Sequence, residues 1–436
     1  MNENLFSQSY NQIINGALGG DAPNFQMLGT PMAFNWAPAP QGELNSHAYQ
    51  VISGMPRWSP LGAYSTLDAS FADSYRQALH HISFKVSPER QKDLNALRIQ
   101  VTLRENEMSQ AITNLNQAYL SQRQNGGAYF ERKYPDVDTW VDLGPGKTYA
   151  QICDNANLAF RRASQLVFEL EMAGMPASLQ SSIDAIKLPS GSPGSGPAPR
   201  GWTKVQDGSG VLRYQPDYIV GTDGDTWREE LKKGSIGSFS VTLKASDQTV
   251  DYSRSWAQAT ASYDKPFWGV SASGSWEKMD LTATDKNVTA TIAVKSSTIV
   301  PVTPGAWYDG GFMADVARGK GGGYEILNPW VAKGGEGSSS LFGQHGLLAS
   351  RISGLVVAYQ PRFSIEMSEA TYERHYEKFE ASLSLRIGPF SFGGSGGHES
   401  NYEHSTDGKT TFEGGSTSED PIIIGVLVSF PGLNQA

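Results

Sequence analysis

The first half of the chain carries apolar residues at steps of three, four and seven, which is the spacing of one face of an α-helix. The pattern starts near Ser70, and Ser87-Pro-Glu89 supplies an N-cap, a proline at the first helical position and an acid in the first turn. Arg104 interrupts the stripe and Gly126-Gly127 follows it, so the pattern predicts a long helix rather than a pure coiled coil. The stripe consists of Leu94, Leu97, Val101, Met108, Ala111, Leu115 and Ala118.

A second long helix is predicted from Lys147 to Ala173, because Gly174 and Pro176 follow it in the order typical of a helix end. Two long helices joined by a loop favour an antiparallel helical hairpin over residues 69–187. Such a hairpin either packs its apolar stripes against each other and against a β domain, or uses them for partner binding or membrane insertion. The second stripe consists of Tyr149, Ile152, Ala156, Ala159, Ala163, Leu166, Leu170 and Ala173.

Two stretches without apolar periodicity flank the predicted hairpin. Residues 1–68 are rich in Gly, Pro, Asn and aromatic side chains, which predicts an ordered but irregular arm. Residues 188–200 are nearly all Pro, Gly and Ser, and this composition is typical of a linker or a long surface loop.

Strand signals dominate after this linker. Apolar and small polar residues alternate over 288–294, and 354–359 and 422–428 are short apolar runs of the length of a buried strand. We therefore expect a β-rich, mainly antiparallel domain over residues 201–436, and an α+β fold for the chain as a whole.

The predicted β domain contains a repeated pattern. Phe239 begins a strand-like run and is followed 27 residues later by Pro266-Phe267, and Phe363 begins a similar run that reaches Pro389-Phe390 after 26 residues. A matched spacing of this length predicts an internal duplication of one supersecondary unit.

Each repeat contains a stretch with one apolar face and one serine-rich face, and between the first Phe and the Pro-Phe pair each is ambiguous between helix and strand. Such strands suit a sheet with one buried face and one wetted face, or a hairpin that lines a water-filled β-barrel while its other face meets lipid. The candidate membrane or assembly surface consists of Trp256, Phe267, Trp268, Val270, Trp276, Leu383, Leu385, Ile387, Phe390 and Phe392.

Composition and charge narrow the functional classes. A net charge of −9 and a pI near 5.4 argue against nucleic acid as a partner. A single cysteine, Cys153, excludes an intrachain disulfide, and no apolar run is long enough to span a membrane as a helix. The first residues lack a basic segment followed by an apolar one, so we expect synthesis in the cytoplasm without a signal peptide, with release to a target membrane if the protein acts there.

Motifs for catalysis are not recognisable. Gly144-Pro-Gly-Lys-Thr148 lacks the glycine that a phosphate-binding loop requires at position 141, and a helix-entry turn is the better interpretation. The acidic cluster from Asp223 to Glu230 does not match the spacing of a calcium-binding loop, and the seven histidines form no metal-ligand pair. A non-enzymatic protein without a cofactor or a bound metal is therefore expected.

One motif resembles a known family. Phe342-Gly-Gln-His-Gly346 is similar to the Tyr-Gly-Thr/Ser-His signature of the perforin-like pore-forming proteins and differs from it at the first and third positions. Two serine- and glycine-rich amphipathic segments more than a hundred residues apart are similar to the twin membrane-insertion regions of that family. The resemblance covers at most residues 235–430, and it implies action on membranes.

These patterns favour a non-enzymatic protein that forms homo-oligomers and acts on membranes as a β-pore-forming toxin, with a lipid membrane or a cell-surface receptor as its further partner. Two alternatives remain open. One is a self-assembling structural or interaction protein without membrane activity, and the other is a module that binds carbohydrates or surfaces through its ten tryptophans.

Overall fold

A computed structural model describes most of the chain, and all structural statements concern these residues. They are 5–20, 22, 24–34, 44–57, 62–84, 88–134, 136–171, 177–187, 189, 193–194, 196–206, 211–221, 226–234, 236–244, 268–271, 277–279, 285, 287–319, 324–334, 339–381, 384–393, 398–404 and 409–432.

Helices and strands are mixed along the chain. The helices are α1 Leu5–Ala17, α2 Ser46–Ser53, α3 Phe71–His80, α4 Pro88–Lys133, α5 Val137–Leu143, α6 Lys147–Glu171, α7 Ala177–Ile186, α8 Trp227–Lys233, α9 Gly310–Arg318 and α10 Glu369–Ala381. The strands are β1 Phe25–Ala33, β2 Leu44–Asn45, β3 Gly54–Pro56, β4 Thr66–Ser70, β5 Ile82–Phe84, β6 Trp202–Gln206, β7 Leu212–Pro216, β8 Tyr218–Val220, β9 Phe239–Lys244, β10 Trp268–Ser271, β11 Glu277–Lys278, β12 Thr289–Pro304, β13 Tyr324–Ile326, β14 Val331–Lys333, β15 Ser340–Phe342, β16 Arg351–Ser368, β17 Ser384–Ile387, β18 Phe390–Gly393, β19 His398–His404, β20 Lys409–Ser416 and β21 Ile422–Ser429.

Local chemistry explains the start of α3 and a bend in α4, while Ser87, Gly174 and Pro176, the predicted ends of the long helices, lie outside the described residues. Ser70 caps α3, because its Oγ accepts a hydrogen bond from the Asp73 N–H at 3.0 Å. Helix α4 bends at Gly127, whose φ of 55° and ψ of −153° lie outside the helical region. The predicted break at Gly126-Gly127 is therefore a bend, after which the chain continues in helical conformation to Lys133.

Helix α4 packs against α6 through a separate hydrophobic cluster. Its buried members are Leu94 and Val101 from α4 and Phe160 and Val167 from α6. A second cluster around Trp140 includes Tyr119, whose hydroxyl donates to the Tyr134 carbonyl at 3.1 Å. The predicted stripe of α4 therefore faces α6, whereas the predicted stripe of α6 is partly wrong: Ile152 and Leu166 are about half exposed, and Phe160 and Val167 make the buried contact.

An ionic contact joins this helical pair to α3. Asp73 accepts hydrogen bonds from Arg76 at 2.6 Å and from Arg161 of α6 at 3.3 Å, and Arg76 Nη2 donates to the Ile186 carbonyl at 3.4 Å. Because Arg76 is almost fully buried, its charge is held by Asp73 rather than by water.

Two long strands form the centre of an antiparallel sheet, here named the large sheet. Strands β12 and β16 pair with each other over most of their length. One end of this pair is extended by β9 beside β12 and by β20 and β19 beside β16. The other end is extended by β8 beside β12 and by β21 and β1 beside β16. The two central strands therefore run through the whole sheet and have different neighbours at their two ends.

The mixed helix and strand content and the antiparallel sheets confirm the predicted α+β class, apart from two short parallel pairs, β14–β15 and β2–β6. The first 68 residues, for which an irregular arm is predicted, contain α1, β1 and α2. Strand β1 pairs with β21, so this part of the chain completes the large sheet.

Candidate functional site

A second, smaller sheet contains most of the described candidate surface. This small sheet has the strand order β11-β10-β17-β18. It is built from two chain segments: the first connection (residues 245–288, between β9 and β12) and the second connection (residues 369–408, between β16 and β20). Strand β10 of the first connection pairs directly with β17 of the second, so the two predicted units lie side by side.

Six of the ten candidate side chains converge on one face of the small sheet. All are at most 4% exposed and belong to one hydrophobic cluster with the large sheet: Trp268, Val270, Leu385, Ile387, Phe390 and Phe392. The ring of Phe392 contacts that of Phe363 at a centroid distance of 4.8 Å, and Phe390 lies 6.4 Å from Phe239. In this structure these six side chains therefore meet protein. The other four candidates lie outside the described residues: Trp256, Phe267, Trp276 and Leu383.

The pairing of β10 with β17 has the same register as the pairing of β12 with β16. Thr289 pairs with Glu366 in the large sheet and Ser271 pairs with Ser384 in the small sheet. From Thr289 back to Ser271 is 18 positions, and from Glu366 forward to Ser384 is also 18 positions. The chain between the two sheets therefore has equal length on both strands.

The same relation holds on the other side of β16. Ser368 pairs with Lys409 in the large sheet and Ser384 pairs with Gly393 in the small sheet. The separation is 16 positions from Ser368 to Ser384 and 16 positions from Gly393 to Lys409. Two independent ladders thus keep one register across both sheets.

A tight turn closes the β17–β18 hairpin. Ile387 pairs with Phe390, which leaves Gly388 and Pro389 as the two loop residues. Gly388 has a φ of 56°, as the first loop position of a two-residue hairpin requires. This turn therefore lies at the midpoint of the second connection.

Asp285 links the two connections. Its carboxylate accepts hydrogen bonds from the Asn287 N–H at 2.9 Å and from the Ser368 N–H at 2.6 Å, at the point where β16 gives way to α10. Ser368 Oγ also bonds Thr371 Oγ1 at 3.0 Å. Burial raises the pKa of Asp285, but the hydrogen bonds from Ser368, Asn287 and Thr371 outweigh this and lower the pKa below its usual value.

Arg386 is a fully buried charge on the other face of β17. Its Nε donates to the Gly388 carbonyl at 3.1 Å, and Nη1 and Nη2 have no hydrogen-bond partner among the described residues. Burial lowers the pKa of its guanidinium to about 9. A buried cation with so few partners opposes the packing of the strand that carries it.

The sequence patterns identify the apolar side chains of this site but miss Asp285 and Arg386. Arg386 follows the serine positions of an alternating strand, which indicates a wetted face, and only the tertiary structure buries it. The partner of Asp285 is 83 positions away along the chain, so no local signal identifies the contact.

Further expectations from the sequence concern metal-ligating groups, membrane-spanning helices and the turn after β15. No group of three or more His, Cys, Asp or Glu side chains in the described part of the chain is arranged to hold a metal ion. None of the described helices has both the length and the apolar character needed to cross a bilayer. Phe342 ends β15, and Gly343 and Gly346 form a turn in which the Gly346 N–H donates to the Gly343 carbonyl at 3.0 Å.

Comparison with known proteins adds no relative, because no family model, curated protein or solved structure matches this chain.

Proposed function

We propose that the protein is a non-enzymatic, oligomerising β-pore-forming protein whose first and second connections unfold from the small sheet and extend the large sheet into a membrane. The observation that carries this proposal is the shared register of the two sheets. Register is costly to change, because a slip of one residue turns every side chain to the opposite face.

In the proposed pore form, residues 272–288 and 367–383 straighten into strands. Both segments have the same length, so β10 and β12 would become one strand and β16 and β17 another. The β10–β17 and β12–β16 pairs would be unchanged, whereas the short β10–β11 pairing would be lost. The second ladder would likewise join β17–β18 to β16–β20. The rearrangement therefore needs straightening of the chain and no exchange of partners between these strands.

The same extension gives one continuous apolar face. Ala290 and Ile292 of β12 and Trp268 and Val270 of β10 are all even-numbered. The buried apolar residues at the end of β16 that pairs with β20, and those of β17, are all odd-numbered: Phe363, Ile365, Met367, Leu385 and Ile387. Because side chains alternate along a strand, each set would share one side of the extended sheet. The serines of the opposite side would line water.

The lengths of the two connections and the positions of their turns agree with membrane-spanning hairpins. A transmembrane β-strand needs about 9–11 residues. In the second connection the Gly388-Pro389 turn would form the tip, and in the first connection the β9–β12 register would put the midpoint at Pro266-Phe267. The predicted duplication and the α4–α6 hairpin belong to the same proposal: the duplication would supply two equivalent hairpins, and the helical hairpin would remain outside the barrel.

The proposed pore also requires several copies of the chain. Four strands cannot close a barrel, and every backbone polar group in lipid must have a partner. The predicted partners are therefore further copies of the chain and, for the assembled barrel, the lipid membrane.

Two disulfide locks test the rearrangement, both in a Cys153→Ala background that removes the single native thiol. Ser271→Cys with Ser384→Cys joins a pair that is present in the packed form and in the proposed pore form, so the oxidised protein should still release dye from liposomes. Asn401→Cys with Glu413→Cys joins β19 to β20. These strands would have to separate to form one continuous strand, so oxidation should abolish release and a reducing agent should restore it.

The two locks act as controls for each other, and each single-cysteine variant controls for the substitution alone. Inhibition by the Ser271–Ser384 lock, or full activity with the Asn401–Glu413 lock, would contradict the proposed extension. Regular polymers in plain buffer without dye release under any lipid or pH condition would instead favour a self-assembling structural protein. Glycan binding by a monomer would favour the surface-binding alternative.

A further inference from the structure

The outer edge of β9 is covered by a helix instead of a strand. Strand β9 pairs with β12 on one side, and α1 lies along its other side. An open strand edge presents unpaired N–H and C=O groups that recruit another strand, and proteins protect such edges with helices or loops.

Two glutamine side chains of α1 occupy the hydrogen-bonding positions of a missing strand. Gln12 Oε1 accepts from the Thr242 N–H at 2.7 Å, while Gln12 Nε2 donates to the Thr242 carbonyl at 2.7 Å. Gln8, one helical turn earlier, accepts from the Lys244 N–H at 3.2 Å. The carboxamide of Gln12 therefore makes the same pair of bonds that one residue of an adjacent strand makes in a ladder.

The rest of the helix packs against the hydrophobic cluster that it shares with the large sheet. A Cβ on Gly16 would lie 2.6 Å from the Phe239 Cβ, so only glycine permits this close approach of α1 to β9. Ile13 is fully buried beside the sheet, and the Tyr10 hydroxyl donates to the Phe25 carbonyl at 3.0 Å. The buried Ser9 hydroxyl has no hydrogen-bond partner among the described residues, and this makes the packing of α1 on the sheet less stable.

We infer that α1 is a displaceable guard of the β9 edge, and that the strand replacing it is β20 of a second copy of this chain. This inference rests on the proposed function. In the order β9-β12-β16-β20 each neighbour is antiparallel, so β9 and β20 run in opposite directions and would continue the alternation between copies. Strand β19 covers the outer edge of β20, and it leaves that edge in the proposed extension.

Contact between two different edges is head-to-tail, and a head-to-tail contact closes into a ring when the rotation between copies permits it. The two edges thus have separate covers, α1 on β9 and β19 on β20. Assembly requires removal of both, and this keeps a single copy from joining another before its connections have extended.

The test removes the glutamine side chains while keeping the helix. The double variant Gln8→Ala with Gln12→Ala should form cross-linkable oligomers on liposomes of zwitterionic and anionic phospholipid at a concentration at least about ten times lower than the wild type needs, because three hydrogen bonds to the β9 edge are lost from the covered form. Asn15→Ala, an exposed position on the same helix, is the matched control and should behave as the wild type. Gly16→Ala should act like the double variant, since its Cβ would push α1 away from Phe239.

Two additions identify the edge that is used. Thr242→Pro removes the outward N–H of β9 and should suppress oligomers in the double variant, because edge strands tolerate proline but cannot then donate there. The oxidised Asn401–Glu413 lock should suppress them as well, by keeping β20 covered. Oligomers that persist with Thr242→Pro, or a folded double variant and a folded Gly16→Ala that both assemble at the wild-type concentration, would overturn the inference.

This outcome is separable from that of the pore proposal. Oligomers that form through β9 without dye release would support the edge guard and contradict the pore. Dye release by the wild type at a concentration unchanged in the glutamine and Gly16 variants would support the pore and overturn the edge guard.

Discussion

Asp285 and Arg386 act in opposite directions on the packed form of the two connections. The carboxylate of Asp285 satisfies two backbone N–H groups that straightening of the chain would release. The guanidinium of Arg386 is buried with one hydrogen bond to its own turn. In the proposed pore form Arg386 would lie on the serine side of the strand, in contact with water. Single residues thus set how readily the packed form is left.

Replacing Asp285 by Ala should therefore destabilise the packed form. We expect a loss of about 1–3 kcal/mol in the free energy of unfolding, because two hydrogen bonds to a charged acceptor are lost, together with faster dye release from liposomes. Glu366→Ala, an exposed carboxylate on β16, is the control. Denaturant unfolding measures the first effect and leakage kinetics the second, and a slower release by Asp285→Ala would contradict the role assigned to this side chain.

Acid should imitate the Asp285 substitution. The folded pKa of Asp285 lies below its ordinary value of 3.8, so its contribution to stability is complete above that value and is lost as the pH falls through the folded pKa. Dye release by the wild type should accelerate below about pH 4. The acceleration should be smaller in Asp285→Ala, which has no carboxylate left to protonate there.

Replacing Arg386 by Met should stabilise the packed form. A thioether side chain of similar length removes a buried charge that lacks partners, and we expect a gain of about 1–3 kcal/mol and slower dye release. Arg362→Met, on an exposed position of β16, should change neither. Thermal unfolding and leakage rates decide the matter, and a lower melting temperature for Arg386→Met would show that the guanidinium has a stabilising partner.

Elements with a strong local pattern are predictable from the sequence, and contacts between elements are not. The apolar stripes predict that α4 and α6 exist, although α4 continues beyond Gly126-Gly127 to Lys133, and the run at 422–428 predicts β21. Helix α1 escapes prediction because it lies within a Gly- and Pro-rich region, although Gln8 and Gln12 already have the spacing of one helical face. The pairing of β10 with β17 also escapes, because alternation shows which face a strand buries and not which strand lies beside it.

The junction of α3, α4 and α6 contains a histidine that should make it sensitive to pH. His80 is buried and stacks on Phe168 of α6 at 5.0 Å. Burial, together with the neighbouring charges of His81, Arg98 and Arg76, lowers its pKa to about 3. The folded pKa is below the ordinary value of 6.5, so the unfolded chain binds the proton more tightly and stability falls as the pH drops below 6.5.

We expect the wild type to lose about 2 kcal/mol of unfolding free energy through His80 between pH 6.5 and pH 5, at about 1.4 kcal/mol per pH unit. His80→Phe keeps a ring against Phe168 and should flatten this part of the profile. His345→Phe, an exposed position, should leave it unchanged. Urea unfolding at several pH values measures the slope, and an equal slope in His80→Phe and the wild type would contradict the assignment.

At the scale of the whole molecule, β12 and β16 connect the two ends of the large sheet. At their far end, away from the two connections, they carry β8, β21 and β1. At their near end they carry β9 and β20, the strands that flank the connections. A change at the near end therefore acts on strands that the far end holds in place. This arrangement allows the proposed extension to proceed from a fixed base, while an ion pair between Asp73 and Arg161 holds the helical pair to α3.

The pairing of β1 with β21 sets a limit on when the molecule can act at all. Phe25 and Leu427 are partners in this ladder although 402 positions separate them. At a translation rate of roughly 5–20 residues per second, a ribosome makes the second strand about 20–80 seconds after the first. The base of the sheet therefore closes only when nearly the whole of this sequence has been synthesised, and a nascent chain cannot deploy either connection from a finished scaffold while it is still being made.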